Sequence, residues 1–162
     1  VLTLRPAQPD DEPFLYRLYC STRQDEMDAW GWGAAQREAF LQLQFRAQRR
    51  HYETQATPAD HQVICQDGSP IGQMIVIRKA EEILLADIAL LPSHRNAGIG
   101  TSLIKGVLSE AAQAGKPVLL HVLIGSPAQR LYERLGFASI GNNGLHILME
   151  RKPAVGISVR EN

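Results

Sequence analysis

Residues 83–101 read ILLADIALLPSHRNAGIGT. The run from Ile83 to Leu91 is apolar except for Asp87, which is the pattern of a central strand covered on both faces. After Pro92 the turn SHRNAGIG gives way to Leu103, Ile104, Val107, Leu108 and Ala111, which share one face of a helix that Gly115 ends. A helix that starts this way leaves its first N–H groups unpaired and pointing outward. Glycines at 98 and 100 remove side chains where a ligand would approach the backbone, and the helix dipole with Arg95 adds positive potential, so phosphate oxygens suit the place. The same glycines could serve only tight packing. The turn is not a Walker loop, since no Gly-Lys-Ser/Thr follows and Lys105 comes a turn too late. Nor is it a dinucleotide fingerprint, because position 103 is Leu and the strands before it do not open a βαβ unit.

Reading outward, His61–Cys65 and Ile71–Ile77 are β-rich runs separated by Asp67-Gly68-Ser69-Pro70, a hairpin signal, and they lead into the central strand as an antiparallel meander. Leu2 and Leu4 before Pro6 predict a short first strand. Asp10, Asp11 and Glu12 supply first-turn acids for a helix bearing Phe14, Leu15, Leu18 and Tyr19. Residues 21–33, STRQDEMDAWGWG, hold no period and read as a long loop or broken helix; a second helix follows from Ala34 to about Thr54. Its Arg46, Arg49, Arg50 and His51 read as a solvated last turn that complements the helix dipole. Downstream, Lys116–Leu123 is another buried strand, and Ser126-Pro127 caps a short helix that ends at Gly136. Two strands, about 137–141 and 145–150, flank Gly141-Asn142-Asn143-Gly144. The expected fold is a mixed α/β single domain, with an irregular tail after Arg151.

The chain has 162 residues, 17 basic against 17 acidic side chains and 44% hydrophobic residues. That length is one domain at roughly 100 to 200 residues each, large enough to bury a core without metal or disulfides. A formal net charge of zero gives no global reason to expect nucleic-acid or anionic-membrane partners, so any anion site must be local. Cys20 and Cys65 form no metal spacing or disulfide framework and fit a reducing compartment as small buried hydrophobes. No apolar run reaches the roughly 18 residues of a spanning helix, and the first residues lack the layout of a signal peptide. The expected setting is cytoplasmic, in a protein of bacterial style.

Arg-x-x-Gly-x-Gly at 95–100, following a strand that ends Leu90-Leu91-Pro92, then a helix, a buried strand and PAQRLYERLGF at 127–137, resembles the GNAT acetyltransferase superfamily. The resemblance runs in element order from LRPA at 4–7 to LMER at 148–151. It implies a central mixed sheet of six to seven strands splayed between the fourth and fifth, with about four helices, as one N-acetyltransferase domain over 1–152 with a tail at 153–162. It also implies an acetyl-CoA co-substrate lying where residues 84–91 and 117–123 part. Main-chain groups of Ile88, Ala89 and Leu90 would pair with pantetheine, with the Leu90 N–H polarising the thioester carbonyl. The amides of Asn96, Ala97, Gly98, Ile99, Gly100 and Thr101, with Arg95, would hold the diphosphate, and Tyr132 would stand near the CoA sulfur as the acid that protonates the leaving thiolate. Tyr132 also falls on one helical stripe with Ala128, Leu131 and Leu135, where it would be plain core.

Two positions depart from the family pattern. Many relatives carry Asn just before the Pro-Ala of this helix, where the chain has Gly125 and Ser126. Many also read Glu-Asp before the position of Ile88, where the chain has Ala86-Asp87, so a base carried by that Glu is absent. Asp87 is either a base with a proton affinity raised by burial or a structural carboxylate; His121 is either a proton relay or a satisfied strand histidine. Arg23, Glu26, Asp28, Trp30 and Trp32 form the expected acceptor segment, with the acids drawing a cationic amine or simply solvated. The implied reaction is direct attack of a primary amine of a small molecule, amino acid or peptide on acetyl-CoA, with no metal and compatible with a homodimer. The alternative is a noncatalytic acyl-CoA-binding or sensing module, and a third reading is a nucleotide-binding domain.

Overall fold

The computed structural model describes residues 1–153, and the expected tail falls outside them past Pro153. Seven strands, β1 (Leu2–Pro6), β2 (Ala59–Gln66), β3 (Ser69–Arg78), β4 (Ile83–Leu90), β5 (Val118–Leu123), β6 (Ala138–Asn142) and β7 (His146–Arg151), follow the order β1-β2-β3-β4-β5-β7-β6. β4 and β5 are parallel; β1 with β2, β5 with β7 and β6 with β7 are antiparallel. Among the described residues there are five α-helices: α1 (Glu12–Thr22), α2 (Gln24–Trp30), α3 (Ala34–Glu53), α4 (Ile99–Ala114) and α5 (Ala128–Arg134). The fold is the mixed α/β arrangement expected. The additional helix is α2, inside the segment expected to be a loop or broken helix, and left-handed Gly31 at φ 68° ends it. Between β2 and β3, Asp67 and Gly68 both take positive φ, the turn whose twist matches a hairpin.

The chain packs as two compact units, residues 1–75 with 88–97 and residues 76–87 with 98 onward. In the first, α1 and α3 pack on β2 through Phe14, Leu15, Leu18, Phe45, Val63 and Cys65, with Tyr16, Tyr19, Ala89 and Leu91 against them. α1 is held at its start by Asp11, whose carboxylate takes both Arg5 guanidinium nitrogens at 2.8 Å and the Gln8 N–H at 2.7 Å. These bonds, Arg5 first, push its proton affinity down to about 2. Of the acidic cluster, Asp11 thus closes the 3-10 turn Pro9–Asp11 ahead of α1, whose own start has no side-chain cap. In the second unit, Ile104, Val107, Leu108 and Ala111 of α4 are buried, as are Val118, Leu120 and Val122 of β5. Each of these valines, leucines and isoleucines contributes about 1.5 to 3 kcal/mol by leaving water.

Two expectations need correction. β4 is central, but only Ile83 and Leu85 are buried, and Ala86–Leu90 stay half-buried. Its parallel register with β5 covers Ile83↔Val118 and Leu84↔Leu119, and a strand without a hydrogen-bonded neighbour along part of one side leaves its side chains partly open. The basic end of α3 is also not uniformly solvated. Arg50 and His51 stand in the last turn, but Arg49 lies over the Phe45 ring at 5.6 Å with its Nη1 buried.

Candidate active site

β4 leads into α4 through a short 3-10 turn, Pro92–His94, anchored by the Leu91 N–H donating to the Ile71 carbonyl at 2.8 Å. Arg95 folds back so that its Nε donates to the Leu90 carbonyl at 2.9 Å, which fixes the root of an exposed guanidinium. Asn96 (φ 61°) and Gly98 (φ 81°) are both left-handed, and this pair of reversals turns the chain into the helix. The first α4 hydrogen bond runs from the Ser102 N–H to the Gly98 carbonyl at 3.0 Å, and no side chain caps the helix start. Amides at such a start carry the positive end of the helix dipole. A Cβ built on Gly98 or Gly100 would meet no heavy atom within 4 Å. Packing within the protein therefore does not account for the two glycines.

Gly72, which the sequence reading passed over, is different. A Cβ there would lie 2.3 Å from the Ala89 carbonyl oxygen and 2.9 Å from Leu90 Cδ2, so β3 closes directly on the residues expected to face the thioester. A lone Gly inside the apolar run Ile71–Ile77 was the available signal, since strand glycines mark close backbone approach.

Tyr132 sits on α5, which begins with Ser126 Oγ accepting the Ala128 N–H at 3.2 Å. The half-buried tyrosine ring meets buried Phe137 edge to face, with centroids 5.7 Å apart. Burial, and then the negative charge of Asp87, raise its proton affinity above the ordinary phenol. The structure thus brings Asp87 of β4 into electrostatic range of Tyr132. Asp87 has interactions of its own within the protein and is no free carboxylate. His121 stands exposed on β5, opposite Leu148 of β7, on the face where its neighbours Val122 and Leu120 are not.

In the acceptor segment, Arg23 holds Glu26 through Nε and Nη2 at 2.9 and 3.2 Å and donates to the Tyr19 hydroxyl at 2.6 Å. Asp28 is paired with Arg37. Both acids expected to draw a cation already have one. Trp30 and Trp32 pack on each other with centroids at 5.0 Å and on Phe40 at 5.6 and 5.2 Å, while Trp30 remains 45% exposed. Among the described residues no three His, Cys, Asp or Glu gather to hold a metal ion, and no helix is long and apolar enough to cross a membrane.

Residues 58–139 match the family described as the acetyltransferase (GNAT) domain, half of the chain. Among solved structures, the PaiA N-acetyltransferase of Thermoplasma acidophilum in complex with coenzyme A is similar at a TM-score of 0.71 and 16% identity, with 94% of this chain and 99% of that one covered. The ribosomal-protein-S18-alanine N-acetyltransferase of Escherichia coli is similar at 0.65 and 19% identity, with 96% of each chain covered. An acetyltransferase of Thermus thermophilus is similar at 0.68 and 18% identity, with 94% and 97% covered. No curated protein matches in sequence. The structural likenesses establish the shared fold, and the matched domain places this chain in the GNAT acetyltransferase family.

Proposed function

We propose that the protein transfers the acetyl group of acetyl-CoA to a primary amine of a small molecule, amino acid or peptide, with residues 1–152 acting as the catalytic domain in a cytoplasmic setting. The observation that carries the reading is the match of residues 58–139 to the GNAT acetyltransferase domain, with a half-buried phenol, Tyr132, on α5. A group that must deliver a proton to a departing thiolate has to arrive protonated, as a phenol does at neutral pH.

The open first turn of α4 fits the diphosphate. Gly98, Ile99, Gly100 and Thr101 offer amides with no side-chain cap, and Arg95, Asn96 and Ala97 lead into them. The main chain of Ile88, Ala89 and Leu90 would hold the pantetheine arm, with the Leu90 N–H aimed at the carbonyl whose charge grows during attack. Ser126 has one oxygen lone pair already committed to the Ala128 N–H, so it orients α5 first and contacts CoA second. The amine nitrogen attacks the thioester carbonyl carbon, the C–S bond breaks, Tyr132 supplies a proton to sulfur, and the ammonium proton leaves to Asp87 or water. A thiol relay on the enzyme finds little support. Cys65 is buried, and burial pushes the Cys20 thiol up, away from the reactive thiolate.

The test is thiol release from acetyl-CoA with a panel of amines, beside the melting shift that CoA induces. Amine-dependent release with a CoA shift is the expected result. A CoA shift without release across the panel identifies a binding or sensing module, and stabilisation by ATP in place of CoA identifies a nucleotide-binding domain.

A further inference from the structure

A cavity of about 290 Å³ opens within the first compact unit, bounded by α1, α3, β2 and β3. Its walls are apolar at Leu15, Phe45 and Ile75 and polar at Tyr19, Gln48, Tyr52, His61 and Gln73, and among the described residues Arg49 is the only arginine or lysine lining it. Nη1 of Arg49 is buried and has no hydrogen-bond partner among the described residues. The Phe45 ring at 5.6 Å offsets part of that charge but accepts no ordinary hydrogen bond. Buried donors are almost always matched, and a guanidinium is matched best by a carboxylate.

The rest of the lining narrows the ligand. His61 Nε2 is joined to Gln73 Oε1 at 2.8 Å, and burial, together with the Arg49 charge, lowers its proton affinity, so it adds no second cation near neutral pH. Glu53, exposed on the last turn of α3, lines the cavity too and opposes a multiply charged anion. One cation, with Glu53 beside the cavity, suits a monoanion, where a phosphate dianion would ask for a second positive charge. The volume lies at the low end for ligand pockets, which fits a one-ring body.

We propose that this cavity binds a small organic acid, its aromatic or branched body against Phe45 and Ile75 and its carboxylate on Arg49. The site stands on its own geometry and does not depend on the acetyl-transfer reading. The carboxylate has two sources to be told apart: it belongs to the amine that accepts the acetyl group, or to a separate acid that does not react.

Calorimetry on the full chain would compare 3-phenylpropionate, its neutral amide, phenylalanine and inorganic phosphate. Expected are binding of the acids, at least a tenfold weaker response to the amide, and at least a tenfold loss in Arg49→Gln. Arg49→Met, which keeps the stem against Phe45, should lose the same binding without a lower melting temperature. CoA affinity, measured on every variant, stays unchanged and reports separately on the proposed function. If phenylalanine supports thiol release and Arg49→Gln raises its KM alone, the carboxylate is the acceptor's; if acids bind without supporting or competing with turnover, it is a separate ligand's. Equal binding of acid and amide, binding retained in Arg49→Gln, or no binding of any acid at millimolar concentration would each overturn the proposal.

Discussion

The start of α4 and the cavity beside α3 are the two places proposed to take an anion, and they are built from opposite materials. At α4 the donors are main-chain amides, the positions that matter are glycines, and no side chain closes over them. At the cavity the donor is a single guanidinium among aromatic and aliphatic walls, with a neutral histidine tied to a glutamine. A main-chain site needs only the right turn and tolerates varied neighbours, so it can be shared by a whole family. A side-chain site is specific to the residues that make it. Common chemistry therefore belongs at the first region and individual specificity at the second.

The largest effect expected is on chemistry. Tyr132→Phe removes a hydroxyl and keeps the ring on Phe137, so steady-state kinetics should show kcat reduced by about 10² to 10⁴ with little change in the KM for acetyl-CoA. Unchanged turnover would return Tyr132 to the core. In Asp87→Asn the tyrosine's proton affinity should fall but remain above ordinary, because burial is the larger cause, and an NMR titration of the labelled ring would read it.

A pair of glycine variants then separates backbone that packs from backbone that binds. Gly72→Val would press a side chain into the Ala89 carbonyl, which is backbone and cannot swing aside as Leu90 Cδ2 can, so unfolding should lose about 3 kcal/mol. At this size that is a melting temperature lower by roughly 6 to 12 °C. Gly100→Val enters open space at an ordinary helical φ, so melting should barely move while CoA affinity drops by at least about tenfold, as expected where a diphosphate meets the backbone. Gly98 would be a poorer probe, since its left-handed φ strains any replacement. Equal CoA affinity in Gly100→Val would remove the diphosphate from α4.

The contrast in materials also decides what could be read from the chain. The α4 turn was legible because glycine, proline and a following apolar period are local signals, each within a few residues. The hairpin at Asp67-Gly68 and the cap at Ser126 were legible for the same reason. The cavity was not, because Arg49, His61 and Gln73 come from three elements and look ordinary in each. Arg49 stands in a run of basic residues at a helix end, where solvation is the usual outcome, and only the packing of α3 shows which one of them turns inward. The segment 21–33 was legible only as an open choice, loop or broken helix, for a related reason, and the helix broken at Arg23 is the one present. Its helix α2 has one buried anchor, Met27, and is held by Arg23–Glu26 and Asp28–Arg37, pairs that no apolar period announces.

The smallest effect is a difference in pH response between the two regions. Main-chain amides do not titrate, whereas the first unit carries His61 and the carboxylates of Asp11 and Asp28, each held below its ordinary value. His61 is held below its ordinary 6.5, so the stability it lends is complete above that pH and is lost as pH falls through the lower folded value. Asp11, at about 2 against an ordinary 3.8, lends stability present above about pH 4 that is lost as pH falls toward 2. Denaturant melts between pH 8 and pH 2 should therefore show a shallow decline beginning below pH 6.5 and a second below pH 4. Asp11→Asn should cost roughly 1 to 2 kcal/mol at pH 7, a discounted figure because the Arg5 guanidinium is 42% exposed, and should reduce the second decline only, leaving the share of Asp28, which Arg37 also holds below its ordinary value. His61→Gln should flatten the first. If both variants keep the wild-type pH profile, the acid response arises elsewhere in the chain, and the side-chain-built region loses its distinction from the amide-built one.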